Sequence, residues 1–173
     1  MVSDPFTRLP RYLSEVGVTA TSQQLDQFRI HFDLLLRWNA KTNLTAVRNP
    51  DEVLRRHIAE SAFLTKVVAL GGGTLIDIGS GGGFPGIPAK ILSPDTRVIL
   101  VEAAQKKAAF LKEVARELKL PGLEVFAGRF EDLPSSGLST LPDLPRRPPG
   151  LQAPSRHEAS SSTWNICPVP GRA

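Results

Sequence analysis

The sequence predicts an α/β fold with a partial Rossmann-like sheet, preceded by helices and followed by an extended tail. Apolar stretches at residues 74–78, 97–102 and 123–127 have the length and composition of buried strands. Helical patterns at residues 86–92 and 105–119 separate them, and this alternation requires a parallel sheet with right-handed crossovers. Glycines follow the first strand, where folds of this type bind ligands.

The composition divides the chain into three segments. Residues 1–70 form a helical segment, residues 71–135 a partial sheet domain, and residues 136–173 a tail rich in proline and serine. Proline removes backbone donors and blocks helices, so we expect a disordered or extended tail. Without further strands, residues 75–78 would become an exposed apolar edge. We interpret the tail as the product of a shifted reading frame or an altered gene end.

Length and composition exclude several classes of protein. The 173 residues suffice for one ordinary domain, and the mean hydropathy of −0.09 is typical of a soluble protein. No apolar run reaches the roughly 20 residues of a membrane span, and no secretory signal precedes the first helix, so we expect a cytoplasmic protein. The single cysteine excludes an internal disulfide and a multi-cysteine zinc site. The net charge of +4 permits binding to nucleic acid.

The N-terminal segment contains clear helix signals. Thr21 and Gln24 have the spacing of a capping box, and apolar residues then recur at helical spacing as far as residue 38. A shorter helix is predicted over residues 6–16. Asn49 and Pro50 have the pattern of a helix start, and glycines at residues 71–73 are expected to end that helix.

The glycine-rich stretch after the first strand predicts a cofactor site. Gly79, Gly81 and Gly83 allow a sharp bend that leaves backbone amides accessible to a ligand. Glu102 ends the next strand about twenty residues later, where Rossmann-like units bind a ribose hydroxyl. Together they indicate a cofactor that contains adenosine.

Two cofactors fit this pattern. The spacing Gly81-x-Gly83-x-x-Gly86 matches the dinucleotide fingerprint, which would make the protein an NAD-dependent oxidoreductase. Asp77 favours S-adenosylmethionine, because a carboxylate ahead of the glycines repels a pyrophosphate and attracts an ammonium group. Pro85 also lacks the amide that a phosphate cradle would use. We therefore favour the methyl donor and keep NAD as the alternative.

The polar stretch at residues 38–48 has two interpretations. Asparagine and threonine at this density usually form local turns, which indicates a structured connector. Alternatively, Asn39, Asn43 and Arg48 offer hydrogen bonds to a substrate. Arg56 and His57, in the following helix, are either solvated or part of a cluster that faces phosphates.

These motifs together resemble the bacterial small-subunit ribosomal RNA guanine-N7 methyltransferases, the RsmG or GidB family. The likeness covers residues 6 to about 135, and it is most specific in the stretch Asp-Ile-Gly-Ser-Gly-Gly-Gly-Phe-Pro-Gly-Ile-Pro at residues 77–88. It implies a class I S-adenosylmethionine-dependent methyltransferase sheet and methyl transfer to guanine N7 in 16S ribosomal RNA of the small ribosomal subunit.

The resemblance also implies roles for individual residues. The residues expected at the cofactor are Asp77, Gly79, Gly81, Gly83, Phe84, Glu102, Phe130 and Glu131. Those expected on the RNA side are Asn39, Asn43, Arg48, Arg56 and His57. Guanine N7 carries a lone pair and no proton, so the reaction requires alignment and neither a general base nor a metal.

The chain departs from the family pattern after residue 134. A methyltransferase sheet of this class has about seven strands, whereas this sequence predicts three. We therefore keep a non-catalytic remnant that binds cofactor or RNA as an alternative to the active enzyme. A further alternative is an interaction segment in which residues 142–149 adopt a polyproline conformation.

Overall fold

A parallel three-stranded sheet with crossover helices forms the centre of the protein. The computed structural model describes residues 4–68 and 70–133, together with the backbone of residues 166–169. The strands are β1 (Thr74–Ile78), β2 (Arg97–Glu102), β3 (Leu123–Ala127) and β4 (Ile166–Val169). Their order is β3-β2-β1-β4, with β1 parallel to β2 and β2 parallel to β3. The α/β class and the three predicted parallel strands are confirmed.

The helices also follow the sequence pattern closely. They are α1 (Leu9–Glu15), α2 (Ser22–Asn39), α3 (Pro50–Glu52), α4 (Glu60–Val67), α5 (Gly86–Leu92) and α6 (Gln105–Leu118). Short 3-10 turns occupy Pro5–Arg8 and Phe130–Asp132. No helix in the described ranges is both long and apolar enough to cross a membrane.

The predicted helix starts are confirmed by their hydrogen bonds. The Thr21 hydroxyl accepts from the Gln24 amide at 3.2 Å, and the Gln24 side chain accepts from the Thr21 amide at 2.9 Å. The Asn49 side chain accepts from the Asp51 amide at 2.9 Å, with Pro50 at the first helical position. The helical region that follows differs from the prediction, since it is π-helical over Val53–Ala59 and ends at Val67.

The prediction that β1 would be an exposed edge is wrong. Residues 74–77 pair on their other side with β4, which runs antiparallel from Ile166 to Val169. A row of unpaired amides and carbonyls on an edge attracts another strand, and an edge position tolerates the missing amide of Pro168. The remaining tail residues, including the proposed polyproline segment at 142–149, lie outside the described residues.

The core joins the N-terminal helices to one face of the sheet. One buried cluster contains residues from α1, α2 and α4 together with Leu75, Val98 and Leu100 of the strands. The alternate strand residues Ile76, Ile99 and Val101 form a second cluster on the other face. The sheet is therefore buried on both sides near the ends of β1 and β2, where the candidate site lies.

Candidate functional site

The carboxyl ends of β1 and β2 bring the predicted acid and the glycine-rich loop together. We define the glycine-rich loop as residues 79–83. Its Gly81 amide donates to Glu102 Oε2 at 2.9 Å, and the Ala104 amide donates to Glu102 Oε1 at 2.8 Å. Glu102 is only 8% exposed. The predicted proximity of this acid to the bend after β1 is confirmed.

The glycines of the loop meet different requirements. Gly79, Gly81 and Gly83 have φ values of +77°, +52° and +85°, which L residues with a Cβ rarely adopt. A Cβ on Gly83 would lie 2.2 Å from Ile87 Cδ1, so close packing also requires this glycine. A Cβ on Gly79 would have no heavy atom within 4 Å. The loop is thus packed against the protein at Gly83 and open at Gly79.

Asp77 is a buried acid near the end of β1. Its side chain accepts a hydrogen bond from the Gly86 amide at 3.0 Å, at the start of α5. Burial raises the pKa of Asp77 to about 7, although the Gly86 amide acts in the opposite direction. The nearby Glu102 charge raises it further. Two buried carboxyl groups in this position favour a cationic ligand over an anionic one.

The amides around the loop bond within the protein. Those of Gly79 and Ser80 donate to the Val101 carbonyl at 2.8 and 3.2 Å. Those of Gly83 and Phe84 donate to the Ser80 carbonyl at 2.6 and 3.2 Å. Because the Gly86 amide is also held, by Asp77, the start of α5 does not have the amide pattern of a phosphate cradle.

Phe84 follows the loop and packs against the rings of two histidines. Its ring centroid is 5.0 Å from that of His57, in a stacked arrangement, and 5.0 Å from that of His31. The His57 ring is 2.7 Å from Thr45 Oγ1 through Nε2. Burial lowers the pKa of both histidines, that of His31 to about 4. Phe84 is 9% exposed, so its ring supports the loop from the protein side.

Sequence reasoning missed His31 and Thr45 as members of this cluster. His31 lies in α2 one turn after Phe28 and four residues before Leu35, both fully buried. That helical spacing was the signal that could have identified His31, because it places the residue on the buried face of α2. A polar side chain on a buried face needs a hydrogen-bond partner. Thr45 belongs to a stretch whose contacts depend on tertiary structure.

The connector of residues 40–49 passes close to the glycine-rich loop and is organised by Asn39. Its Oδ1 accepts from the amides of Leu44 at 3.0 Å and Thr45 at 3.1 Å. Asn39 is 6% exposed, so its side chain serves the connector itself. The Leu44 carbonyl lies 3.7 Å from the position of a Cβ on Gly81, which places the connector beside the loop.

The basic residues expected on the RNA side are exposed. Arg48 donates to the Asn39 carbonyl at 2.9 Å and to the exposed Asn43 side chain at 2.5 Å. Arg56 is exposed at the π-helical turn, and the neighbouring His57 is half-buried. The structured connector predicted from composition is thus present, with cationic groups on its outer side.

Phe130 and Glu131 follow β3 at the same edge of the sheet. Ala127 pairs with Glu102, and the Gly128 amide donates to the Glu102 carbonyl at 3.0 Å. Phe130 packs against the second cluster, while Glu131 is exposed. Within residues 4–68 and 70–133, no three histidine, cysteine or acidic side chains form a group suited to a metal.

Comparisons with known proteins give a consistent result. The family described as rRNA small subunit methyltransferase G, GidB, matches residues 24–141. A ribosomal RNA small subunit methyltransferase G from Ectopseudomonas mendocina (strain ymp) is 42% identical over 130 residues, which are 73% of this chain and 61% of that protein. Its namesake from Lachnoclostridium phytofermentans is 41% identical over 121 residues, or 69% of this chain and 50% of that protein.

The chain therefore spans about half to three fifths of the length of these curated relatives. One solved structure, a protein-L-isoaspartate O-methyltransferase, aligns with a TM-score of 0.48 and 16% identity, over 72% of this chain and 42% of that chain.

Proposed function

The chain belongs to the rRNA small subunit methyltransferase G family, and from this premise we propose that it methylates guanine N7 of 16S ribosomal RNA with S-adenosylmethionine as donor. Membership confirms the resemblance inferred from the motifs at residues 77–88. The cofactor, the base and the RNA partner are parts of this proposal, because the matched region is only part of each relative.

One observation supports the methyl donor over NAD. The amide of Gly86, which a bound pyrophosphate would use, is held by the buried carboxyl group of Asp77 at 3.0 Å. A phosphate there would lose this donor and would face two buried acids. The ammonium and sulfonium groups of S-adenosylmethionine are cationic and would be attracted by the same acids. The open space at Gly79 allows the ligand to approach the backbone.

The proposed cofactor residues divide by position. The loop glycines and Asp77 would hold the methionine end, and Glu102 would bind the ribose. Both oxygens of Glu102 already accept one amide each, which fixes the carboxylate while leaving lone pairs for hydroxyl donors. Phe130 and Glu131 would lie towards the adenine, while Phe84 contributes through its packing against the two histidines.

The proposed chemistry requires alignment more than proton transfer. S-adenosylmethionine, when bound, supplies an electrophilic methyl group. The N7 atom of guanine offers a lone pair without a proton, so the protein needs no general base. The tasks of the described residues would be to bind, to orient and to exclude water, which position the two reactants for attack.

The RNA would approach from the connector side. Arg48 and Arg56 are exposed cations, Arg48 on the connector and Arg56 next to His57 in the chain, and phosphate groups are their natural ligands. Asn43 and His57 would add polar contacts, whereas Asn39 would act by holding the connector. N7 lies on the Hoogsteen edge of guanine, which a protein reaches in an open loop or an unstacked base.

The cofactor assignment is tested by isothermal titration calorimetry with S-adenosylhomocysteine and with NAD. We expect binding of the first alone, and a Glu102→Gln variant should bind it at least tenfold more weakly. Glu117→Gln, which alters an exposed acid on α6, is the matched control and should bind like wild type. Binding of NAD alone would overturn the cofactor assignment and support an oxidoreductase.

The reaction is tested with labelled S-adenosylmethionine and small ribosomal subunits that lack the modification. We expect label on guanine N7 of the 16S RNA. If the folded chain binds S-adenosylhomocysteine but transfers no label, the proposal of activity fails and the non-catalytic remnant is supported. A label on another atom would refute the N7 assignment alone.

A further inference from the structure

A buried histidine holds the backbone of the glycine-rich loop. His31 lies in α2 and is 0% exposed, and its Nε2 is 2.8 Å from the carbonyl oxygen of Gly82. The two residues are 51 positions apart in the chain. This hydrogen bond joins the N-terminal helical segment to the centre of the candidate cofactor site.

The partner of the hydrogen bond fixes the tautomer of His31. A carbonyl oxygen only accepts, so Nε2 carries the proton and Nδ1 presents a lone pair. Nδ1 is buried and has no hydrogen-bond partner among the residues that the structure describes. These contacts require a neutral ring that makes one hydrogen bond, to the loop. Burial lowers the pKa of His31 to about 4 and so keeps the ring neutral at pH 7.

The ring is also held in orientation by its neighbours. Its centroid lies 5.0 Å from that of Phe84 and 6.3 Å from that of Phe110. At Gly82 the loop lies directly on α2, since a Cβ there would be 3.1 Å from Leu35 Cδ1. The direction in which His31 donates is therefore set by packing on several sides.

The Gly82 carbonyl lies between two further glycines of the loop. Gly81 and Gly83 on either side have positive φ values, and glycine permits large changes of both dihedrals. Glu102 holds the Gly81 amide and Ser80 holds the Gly83 amide. The bond from His31 fixes the peptide between these two anchors.

We propose that His31 is a positioning residue of the cofactor site, which fixes the backbone path of the glycine-rich loop by donating from Nε2 to the Gly82 carbonyl. It acts through the loop and does not touch the ligand. The cofactor part of this inference rests on the proposed function, whereas its effect on the loop does not.

The test uses two amide variants that differ in reach. In His31→Gln the side-chain nitrogen is as many bonds from Cβ as Nε2, so it retains a donor for Gly82. In His31→Asn the nitrogen corresponds in position to Nδ1 and cannot reach that carbonyl. We expect the asparagine variant to bind S-adenosylhomocysteine at least tenfold more weakly than wild type, and the glutamine variant to remain within threefold.

Phe28→Leu provides the control for general loss of stability. Phe28 is fully buried one turn earlier on α2. This variant should lower the melting temperature while its affinity for S-adenosylhomocysteine stays within threefold of wild type. Equal affinities of the glutamine and asparagine variants, or an equal loss in Phe28→Leu, would overturn the positioning role.

Measurements without ligand separate this inference from the proposed function. Amide hydrogen exchange at residues 81–84 should accelerate in His31→Asn and not in His31→Gln. Nitrogen-15 chemical shifts of the wild-type ring should show a protonated Nε2 and an unprotonated Nδ1. A protonated Nδ1, or unchanged exchange in His31→Asn, would refute the inference. Failure of the wild-type chain to bind S-adenosylhomocysteine would refute the proposed function, and exchange would still decide whether His31 holds the loop.

Discussion

The glycine-rich loop and the connector are two irregular segments that lie side by side, and each is organised by one buried side chain. Glu102 accepts from the amides of Gly81 and Ala104, whereas Asn39 accepts from those of Leu44 and Thr45. The first organiser is an acid and the second a neutral amide. The two segments thus share a hydrogen-bond pattern and differ in the charge of its acceptor. Under the proposed function, the acid would favour a cation, and the neutral amide would leave the exposed arginines to attract phosphate.

The largest expected effect is on the side of the glycine-rich loop, at Asp77 of the strand that precedes it, and it depends on pH. The pKa of Asp77 is raised in the fold from 3.8 to about 7, so its contribution to stability is present below pH 3.8 and is lost as the pH rises towards 7. The shift corresponds to about 4 kcal/mol in the free energy of unfolding. In Asp77→Asn this loss should vanish, so the variant gains about that amount over wild type between pH 4 and 7.

Urea unfolding of wild type and Asp77→Asn across this pH range measures the difference between their free energies of unfolding. His31 has the opposite dependence, because its pKa is lowered from 6.5 to about 4 and its contribution is lost as the pH falls through that window. His57 has a lowered pKa too and acts in the same direction. Wild type and Asp77→Asn both contain the two histidines, so their effects cancel when the two stabilities are subtracted. If the free energies of unfolding of wild type and Asp77→Asn changed in parallel with pH, the raised pKa of Asp77 would be contradicted.

The next largest effect is the loss of stability when alanine replaces Gly83, compared with the same replacement at Gly79. In Gly83→Ala the new Cβ would meet Ile87 Cδ1 at 2.2 Å as well as adopt a positive φ, so we expect a loss of about 3 kcal/mol. Gly79→Ala has a similar φ but open space, so about 1 kcal/mol is expected. Denaturant unfolding checks both values. Equal losses would show that the loop is not packed at Gly83 as described.

Sequence reasoning predicted the regular part of the molecule well. The strand over 74–78 and the helix over 86–92 agree with β1 and α5, because the residue patterns that specify them extend over only a few neighbouring residues. It also predicted that Glu102 lies at the loop. It failed at the edge of β1, because the pairing with β4 joins residues about ninety positions apart and leaves no local pattern.

The candidate site was predictable only in part, for a similar reason. The glycines and acids of the site can be recognised by their residue type and spacing. The hydrogen bond of His31 joins it to Gly82, 51 positions away, so no local pattern indicates it. Asn39 was predicted both as a turn former and as an RNA contact, and its 6% exposure supports the first interpretation. Burial of a polar side chain depends on tertiary packing that one helix does not determine.

A smaller effect is expected from the neutral organiser of the connector. Asn39→Ala would leave the Leu44 and Thr45 amides without their acceptor, so we expect a loss of about 2 kcal/mol. The loss should not depend on pH, unlike the change at Asp77. Asn43→Ala, at an exposed position of the same connector, should change stability by less than about 0.5 kcal/mol. A pH-dependent loss in Asn39→Ala would remove the contrast between the two segments.

The smallest effect concerns the bond that joins the connector to the rings under the loop. The Thr45 hydroxyl is 2.7 Å from His57 Nε2 and accepts from the Val47 amide at 3.1 Å. Thr45→Val removes both contacts at nearly constant volume and should cost about 1 kcal/mol, whereas Thr45→Ser keeps the hydroxyl and should restore most of it. Affinity for S-adenosylhomocysteine should stay within threefold of wild type, because His31 and Glu102 hold the loop independently. A tenfold loss of affinity in Thr45→Val would instead show that connector and loop form one unit.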